Sequence, residues 1–227
     1  SIDAVEGTLR RLDGEALDLY QIHFPDRHPP TDETLQALDD LVRQGKVHYL
    51  GCSNFPAWLL ARTIGRSEVL DVARYDCVQP RYNLVFRQFE RDLFALCDHD
   101  DIAVIPYNPL AGGLLTGKHQ RSAPEPGSRF TLGGGQGDRY LERYWHDRLH
   151  DTVDALKPLA ADAGMSMAQL AIAWVLANPV VTAPIVGATR PEQLDDAVAA
   201  VANPLEADLK ARLDELTDGF RLTDEDR

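Results

Sequence analysis

The sequence predicts an α/β fold with a buried parallel sheet, and three observations support this prediction. Short apolar segments alternate with amphipathic helical segments along all 227 residues. The short segments are almost continuously apolar, which is typical of strands that are buried on both faces. They also end on polar or small residues. The alternation fits either a doubly wound sheet or a (β/α)8 barrel. We expect a single domain over residues 1–227.

Five short apolar segments are the predicted strands of this sheet. Each is rich in β-branched or aromatic residues and is bounded by residues that favour turns. The segments cover residues 16–24, 47–54, 75–83, 102–110 and 181–189.

Capping residues mark the ends of the predicted helices. Thr31 precedes two acidic residues and a periodic row of leucines, and Gly45 follows as a predicted C-terminal cap. Two other helix starts have the spacing of a capping box, in which a Ser or Thr side chain pairs with the residue three positions later. These pairs are Ser166 with Gln169 and Thr189 with Glu192.

The segment 111–140 is too long for a simple connection, so we expect it to be a functional loop. Its glycine run at 133–138 lacks the strand-to-helix context of a nucleotide-binding turn, and we interpret it as a flexible loop. Gly112 and Gly113 would let a ligand approach the main chain closely. The stretch GATRPEQ starts a predicted helix directly after the last predicted strand, which favours anion binding beside Arg190.

Composition narrows the classes of partner. The formal net charge is −13, so nucleic acid and anionic membrane surfaces are poor partners. No apolar run approaches the roughly 18 residues that span a bilayer, and the polar N-terminus does not resemble a secretory signal. Cys52, Cys77 and Cys97 show no close pairing, which predicts buried free thiols rather than disulfides or a zinc site. We expect a cytoplasmic protein without a metal; the sequence defines no oligomeric state.

Polar or small residues stand at the ends of the predicted strands. In a parallel barrel these ends share one face, where active sites are built. A single histidine or Ser-Asn pair in such a place is more often structural, so the interpretation depends on the repetition. The residues are His23; Ser53 and Asn54; Gln79; Tyr107 and Asn108; and Gly187 and Thr189.

Five motifs together resemble the aldo-keto reductase family. They are DLYQIHFPD, GKVHYLGCSNF, VQPRYNL, VIPYNPLAGGLLTGK and PIVGATRPEQL, in this order along nearly the whole chain. The resemblance implies a (β/α)8 TIM barrel that binds NADP(H) without a Rossmann fold and reduces a small aldehyde or ketone. It further implies that the chain is an incomplete barrel, with strands 4–8 and their helices present and the first three βα units missing.

The resemblance also implies roles for individual residues. His23 corresponds to the family's active-site histidine, which orients and polarises the substrate carbonyl. Ser53, Asn54 and Gln79 correspond to residues that hold the nicotinamide carboxamide, and Tyr107 to the aromatic residue that stacks on the ring. The residues that correspond to pyrophosphate contacts are Asn108, Pro109, Leu110 and Gly112, with Lys118 and Arg129 above them. Those that correspond to the adenosine and 2′-phosphate site are Gly187, Thr189, Gln193 and Asp196.

The chain departs from the family pattern in several places. Asn108 stands where serine is usual, and Asp196 and Ala197 replace a glutamate and an asparagine. No residue corresponds to the family's catalytic aspartate, tyrosine and lysine, so we expect weak or no reductase activity from this chain. One alternative is a non-catalytic, nicotinamide-binding subunit that senses redox state. Another is a different phosphate-binding barrel enzyme, such as an isomerase, which VQPRYNL and PYNPLAGG make improbable.

Overall fold

The computed structural model of the protein describes residues 2–25 and 31–222. The chain forms two compact units. The first unit contains Ser1–Pro80 and Asp92–Ile105, and the second contains Arg81–Arg91 and Pro106–Arg227. Asp26, the last residue of the DLYQIHFPD motif, lies outside the described residues. The expectation of a single domain stays a prediction.

A four-stranded parallel sheet forms the first unit, in the order β1-β2-β3-β4. This arrangement confirms the predicted α/β class with a parallel sheet. The strands are β1 (Leu17–Ile22), β2 (Val47–Ser53), β3 (Cys77–Gln79) and β4 (Ala103–Val104), and the helices are α1 (Ile2–Leu12), α2 (Thr31–Arg43), α3 (Ala57–Leu70) and α4 (Leu93–His99).

Helix α2 and the sheet register show how this unit builds its core. Thr31, which the sequence predicts as the N-cap, is the first residue of the helix, and Gly45 follows the helix in the left-handed region with a φ of 69°. Its buried leucines lie on the face that packs towards β2. In the sheet, Ile22 pairs with Cys52 and the next residue of β2, Ser53, pairs with Gln79. Because side chains alternate along a strand, Cys52 and Ser53 point to opposite faces.

All three cysteines of the first unit are free and buried, as the sequence predicts. Burial raises the pKa of Cys77 to about 11 and that of Cys97 to about 12. Thiols with such pKa values stay protonated at neutral pH and react slowly. The cysteines therefore pack as small apolar residues.

Helices and short turns make up the second unit. The α-helices are α5 (Gln136–Tyr144), α6 (Asp147–Asp162), α7 (Met167–Leu176), α8 (Asp195–Ala202) and α9 (Ala207–Leu216), and the 3-10 helices are Gln88–Glu90, Ala111–Thr116, Arg129–Thr131, Pro191–Leu194 and Asp218–Arg221. Within residues 2–25 and 31–222, no single helix is long and apolar enough to cross a membrane; α6 and α7 meet those criteria only when counted together across a 90° bend.

The predicted strand over 181–189 is wrong. Residues 181–189 form no strand, and Ile185 makes an isolated bridge to Tyr107. Pro184 has no N–H to donate to a ladder, which limits pairing beside it. Prolines also shorten two other predicted strands. Pro80 directly follows β3, and Pro106 lies two residues after β4, so neither position can donate a ladder hydrogen bond.

Two further expectations change at helix starts. The glycine run at 133–138 is not a loop throughout, because its residues 136–138 begin α5 and Gly135 is the N-cap with a φ of 76°. A Cβ at Gly137 would lie 2.6 Å from the oxygen of Leu132, so this position accommodates only glycine without a shift. Ser166 caps α7 as predicted by accepting from the N–H of Gln169. The predicted helix start at Thr189 is instead a 3-10 turn from Pro191.

Arg87 holds the C-terminal helix of the second unit. Arg87 is 4% exposed. Its guanidinium makes two hydrogen bonds of 2.9 Å to the carboxylate of Glu90. It also donates to Thr217 Oγ1 at 2.7 Å and to the main-chain oxygen of Asp214 at 2.8 Å. A buried charge with this many partners is strongly destabilising to remove, because the partners stay behind without it.

We expect Arg87→Met to lower the free energy of unfolding by roughly 3–5 kcal/mol, the range found when one partner of a buried ion pair is removed. Urea unfolding followed by tryptophan fluorescence measures the change. Arg91→Met is the matched control, because Arg91 is exposed. Equal losses in the two variants would contradict this role for Arg87.

Candidate functional site

Hydrogen bonds join the carboxyl ends of β1, β2 and β3 in the first unit. Ser53 Oγ donates to the main-chain oxygen of Gln79 at 2.7 Å. Asn54 Nδ2 donates to the main-chain oxygen of His23 at 2.9 Å and to Ser53 Oγ at 3.0 Å. The four strand-end residues that the sequence predicts in this unit therefore lie together.

Asn54 makes this connection possible through its backbone conformation. It follows β2 directly and has a φ of 60°, in the left-handed region that asparagine tolerates better than most residues. The bonds use the main-chain oxygens of His23 and Gln79, so the imidazole and the Gln79 amide do not hold the cluster together. Ser53 is buried, whereas His23 is exposed with its ring 4.4 Å from that of Phe24.

Tyr107 and Asn108 begin a tight turn in the second unit. The main chain of Tyr107 bridges Arg81 and Ile185, and burial raises the pKa of its phenol. Asn108 has a φ of 64°, and its Oδ1 accepts from the N–H of Gly112 at 2.7 Å. Of the other predicted pyrophosphate contacts, Pro109 is buried and Leu110 packs against the core residues Ile172, Ala173 and Ala200.

Arg129 lies close to two of the predicted glycines, Gly112 and Gly187, and contacts Tyr140. Arg129 Nη1 donates to the Tyr140 hydroxyl at 3.2 Å, with its guanidinium 5.5 Å from the ring centre. A Cβ at Gly112 would lie 2.6 Å from Tyr140 Cδ1, and a Cβ at Gly187 would lie 3.4 Å from Arg129 Nη2. The structure thus brings Gly112, Arg129 and Gly187 together, with an exposed cation among them.

The remaining predicted residues make other contacts. Gln193 Oε1 accepts from Thr189, at 2.8 Å from its N–H and at 3.2 Å from its Oγ1. Asp196 Oδ1 accepts from Ser166 Oγ at 2.6 Å, so its carboxylate contacts the start of α7. Lys118 is exposed after the Ala111–Thr116 turn. Thr189 and Gln193 therefore lie together, whereas Asp196 has a structural contact of its own.

Sequence reasoning missed three polar residues beside the 108–113 turn. Asn83 Nδ2 donates to the main-chain oxygen of Asn108 at 2.9 Å. Asn108 Nδ2 donates to the Tyr144 hydroxyl at 2.8 Å, and Tyr140 contacts Gly112 as described above. The spacing of four between the two tyrosines on one helix is the signal in the sequence that could have indicated a shared face.

A buried histidine organises the long segment that carries Arg129. His119 Nδ1 accepts from the N–H of Glu125 at 3.1 Å, and its ring packs against Phe130 and Trp145 at 5.0 and 5.7 Å. Burial lowers the pKa of His119, with smaller contributions from Lys118 and His150. Because Nδ1 already accepts a hydrogen bond, protonation there would place two donors face to face.

This geometry gives a pH dependence of stability. Since the folded pKa of His119 lies below its ordinary value of 6.5, the unfolded chain binds the proton first as the pH falls. Stability is fully present above about pH 6.5 and decreases below it. We expect His119→Asn, which keeps an acceptor near the Nδ1 position and does not titrate, to reduce this loss in urea unfolding between pH 7 and 5.

His99→Asn is the control, because the His99 side chain is 86% exposed. Burial also lowers the pKa of His150, so part of the loss should remain in the His119 variant. An unchanged pH dependence in His119→Asn would contradict the assignment to His119.

Known proteins resemble this chain over most of its length. The sequence model of the Aldo/keto reductase family matches residues 2–218. The uncharacterized oxidoreductase YrpG of Bacillus subtilis is 35% identical over 95% of this chain and 63% of its own length. A probable voltage-gated potassium channel subunit beta of Arabidopsis thaliana is 33% identical over 88% of this chain and 61% of its own length. The aldo-keto reductase dtxS3 of Metarhizium robertsii is 33% identical over 94% and 56%. The chain therefore spans less than two thirds of these relatives.

Proposed function

Because the chain belongs to the aldo/keto reductase family, we propose that it serves NADP(H)-dependent hydride transfer to a small aldehyde or ketone. The observation that carries this proposal is the hydrogen-bonded group of His23, Ser53, Asn54 and Gln79 at the carboxyl ends of three parallel strands. In parallel α/β barrels, that end of the sheet is where catalytic and binding residues collect. The family implies such a barrel, to which the described sheet would contribute four strands.

The polar groups of the first unit fit a nicotinamide carboxamide. The Gln79 side chain offers a donor and an acceptor, which complement the acceptor and donor of a carboxamide. Ser53 fixes Gln79 through its main-chain oxygen and receives the Asn54 amide, so it orders both neighbours. We assign the carboxamide contacts to Ser53, Asn54 and Gln79, with Tyr107 as the stacking residue.

His23 is the residue of this chain that would act on the substrate. NADP(H) supplies the hydride when bound. The exposed imidazole of His23 donates a hydrogen bond to the carbonyl oxygen, which stabilises the negative charge that develops there. The same contact orients the carbonyl.

The second unit offers groups suited to phosphates. The exposed Arg129 is held beside Gly112 and Gly187 by Tyr140, and a guanidinium binds phosphate oxygens through paired N–H donors. A local cation matters in a chain with a net charge of −13. We assign the pyrophosphate to Asn108, Pro109, Leu110, Gly112, Lys118 and Arg129, and the adenosine and 2′-phosphate to Gly187, Thr189, Gln193 and Asp196.

The cysteines bear on the location of the protein, and the family's catalytic residues bear on its activity. The three buried free thiols fit a reducing compartment, so we propose a cytoplasmic location. The family resemblance gives none of the 227 residues the role of the family's catalytic aspartate, tyrosine or lysine. We therefore propose that these 227 residues bind the cofactor and turn it over weakly or not at all.

A second candidate function is a nicotinamide-binding subunit that senses redox state. The 33% identity to a probable voltage-gated potassium channel subunit beta favours it. His23 favours the oxidoreductase, because a sensor does not require a group that polarises a carbonyl. The two candidates share cofactor binding and differ in turnover.

We expect saturable binding of NADPH to the 227-residue chain, measured by the change in cofactor fluorescence on titration. Gln79→Ala should weaken binding about 3- to 10-fold, the effect of losing one or two hydrogen bonds. Gln44→Ala is the matched control, because Gln44 is exposed after α2. Equal affinities in the two variants, or no saturable binding, would contradict the assignment.

Turnover is expected to be low even where binding is intact. NADPH oxidation with a reactive aldehyde is measured at saturating cofactor for the 227-residue chain. We expect a rate far below that of a family reductase that carries the catalytic aspartate, tyrosine and lysine, because general acid catalysis alone typically contributes about 10²–10⁴-fold. A rate comparable to that of such a reductase would refute this expectation.

A further inference from the structure

The turn at residues 108–113 has an unusual backbone. Asn108 and Ala111 have φ values of 64° and 49°, and Gly112 and Gly113 have values of 71° and 106°. The left-handed region disfavours residues with a Cβ, so the conformation at Ala111 requires support from outside the turn. Main-chain hydrogen bonds within the turn provide part of the support, because the N–H of Gly113 donates to the main-chain oxygen of Leu110 at 2.8 Å.

Asn108 supplies that support with every polar atom of its side chain. Its Oδ1 accepts from the N–H of Gly112, and its Nδ2 donates to the Tyr144 hydroxyl. Its main-chain oxygen accepts from Ala111 at 3.0 Å and from Asn83 at 2.9 Å. The two ends of the amide are therefore distinguished: rotating it by 180° would turn Nδ2 towards the Gly112 donor. A serine could accept from Gly112 but has no second group that reaches Tyr144.

Tyr144 is the fixed end of this chain of bonds. It is the last residue of α5 and is 1% exposed, so it cannot touch a ligand in solution. Helix α5 also carries Tyr140 one turn earlier, with the two rings 6.3 Å apart. The helix thus contacts the turn at Asn108 through one tyrosine and at Gly112 through the other.

We propose that Tyr144 is a positioning residue that acts through Asn108 to set the conformation of the 108–113 turn and, with it, the affinity for the cofactor's phosphate groups. This inference rests on the proposed function, because the turn is where that function assigns the pyrophosphate. The hydroxyl orients the Asn108 amide, the amide holds the Gly112 N–H, and Gly112 keeps its place beside Tyr140 and Arg129.

The test is a double-mutant cycle with two readouts. Tyr144→Phe is made in the unsubstituted chain and in the Asn108→Ser variant. Hydrogen exchange of the Gly112 amide, measured without cofactor, reports the turn, and NADPH titration reports binding. We expect Tyr144→Phe to speed the exchange and to weaken NADPH roughly 3- to 10-fold, as for a lost hydrogen bond. In the Asn108→Ser background the same substitution should change both readouts less, and the remaining effect reflects the contacts of the Tyr144 hydroxyl with Asn83 and Arg81.

Tyr49→Phe is the control for loss of a tyrosine hydroxyl, because Tyr49 is 62% exposed in the first unit. Equal effects of Tyr144→Phe in the two backgrounds would overturn the proposal, since packing alone would be responsible. Unchanged Gly112 exchange with intact NADPH binding would also overturn it. If the unsubstituted chain fails to bind NADPH, the proposed function fails first and the role of Tyr144 in binding fails with it.

Discussion

The parallel pairing of β1, β2 and β3 is the constraint on which the first unit's candidate site depends. Parallel strands end on one edge of a sheet, so residues that follow them meet without any further device. The register places Ser53 opposite Gln79, and the bond between them continues the ladder by one side chain. Cys52 and Ser53 are buried on opposite faces of the strand, so a slip of one residue would exchange an apolar side chain and a polar one.

Each unit uses an asparagine in the left-handed region to order its polar residues. Asn54 joins the ends of two strands through one side-chain amide, and Asn108 joins a glycine turn to helix α5. In both places the residue has a short side chain that carries a donor and an acceptor on a backbone conformation most residues avoid. Local strain at these positions is offset by hydrogen bonds to main-chain groups, which explains how irregular turns hold a defined shape.

Local chemistry decided which parts of the structure could be predicted from the sequence. Gly45 and Ser166 act at helix ends through bonds to residues three positions away, so their patterns were sufficient. The 181–189 strand failed because Pro184 interrupts an otherwise apolar run. The contact of Asn108 with Tyr144 crosses 36 positions of sequence, and no local pattern encodes such a pairing.

The proposed function depends most directly on contact between the strand-end cluster of the first unit and a nicotinamide cofactor. Amide chemical shifts recorded by NMR during titration with NADP⁺ measure this contact. We expect saturable shifts at Ser53, Asn54 and Gln79. Saturable shifts confined to residues outside this cluster, or no saturable shifts, would contradict it.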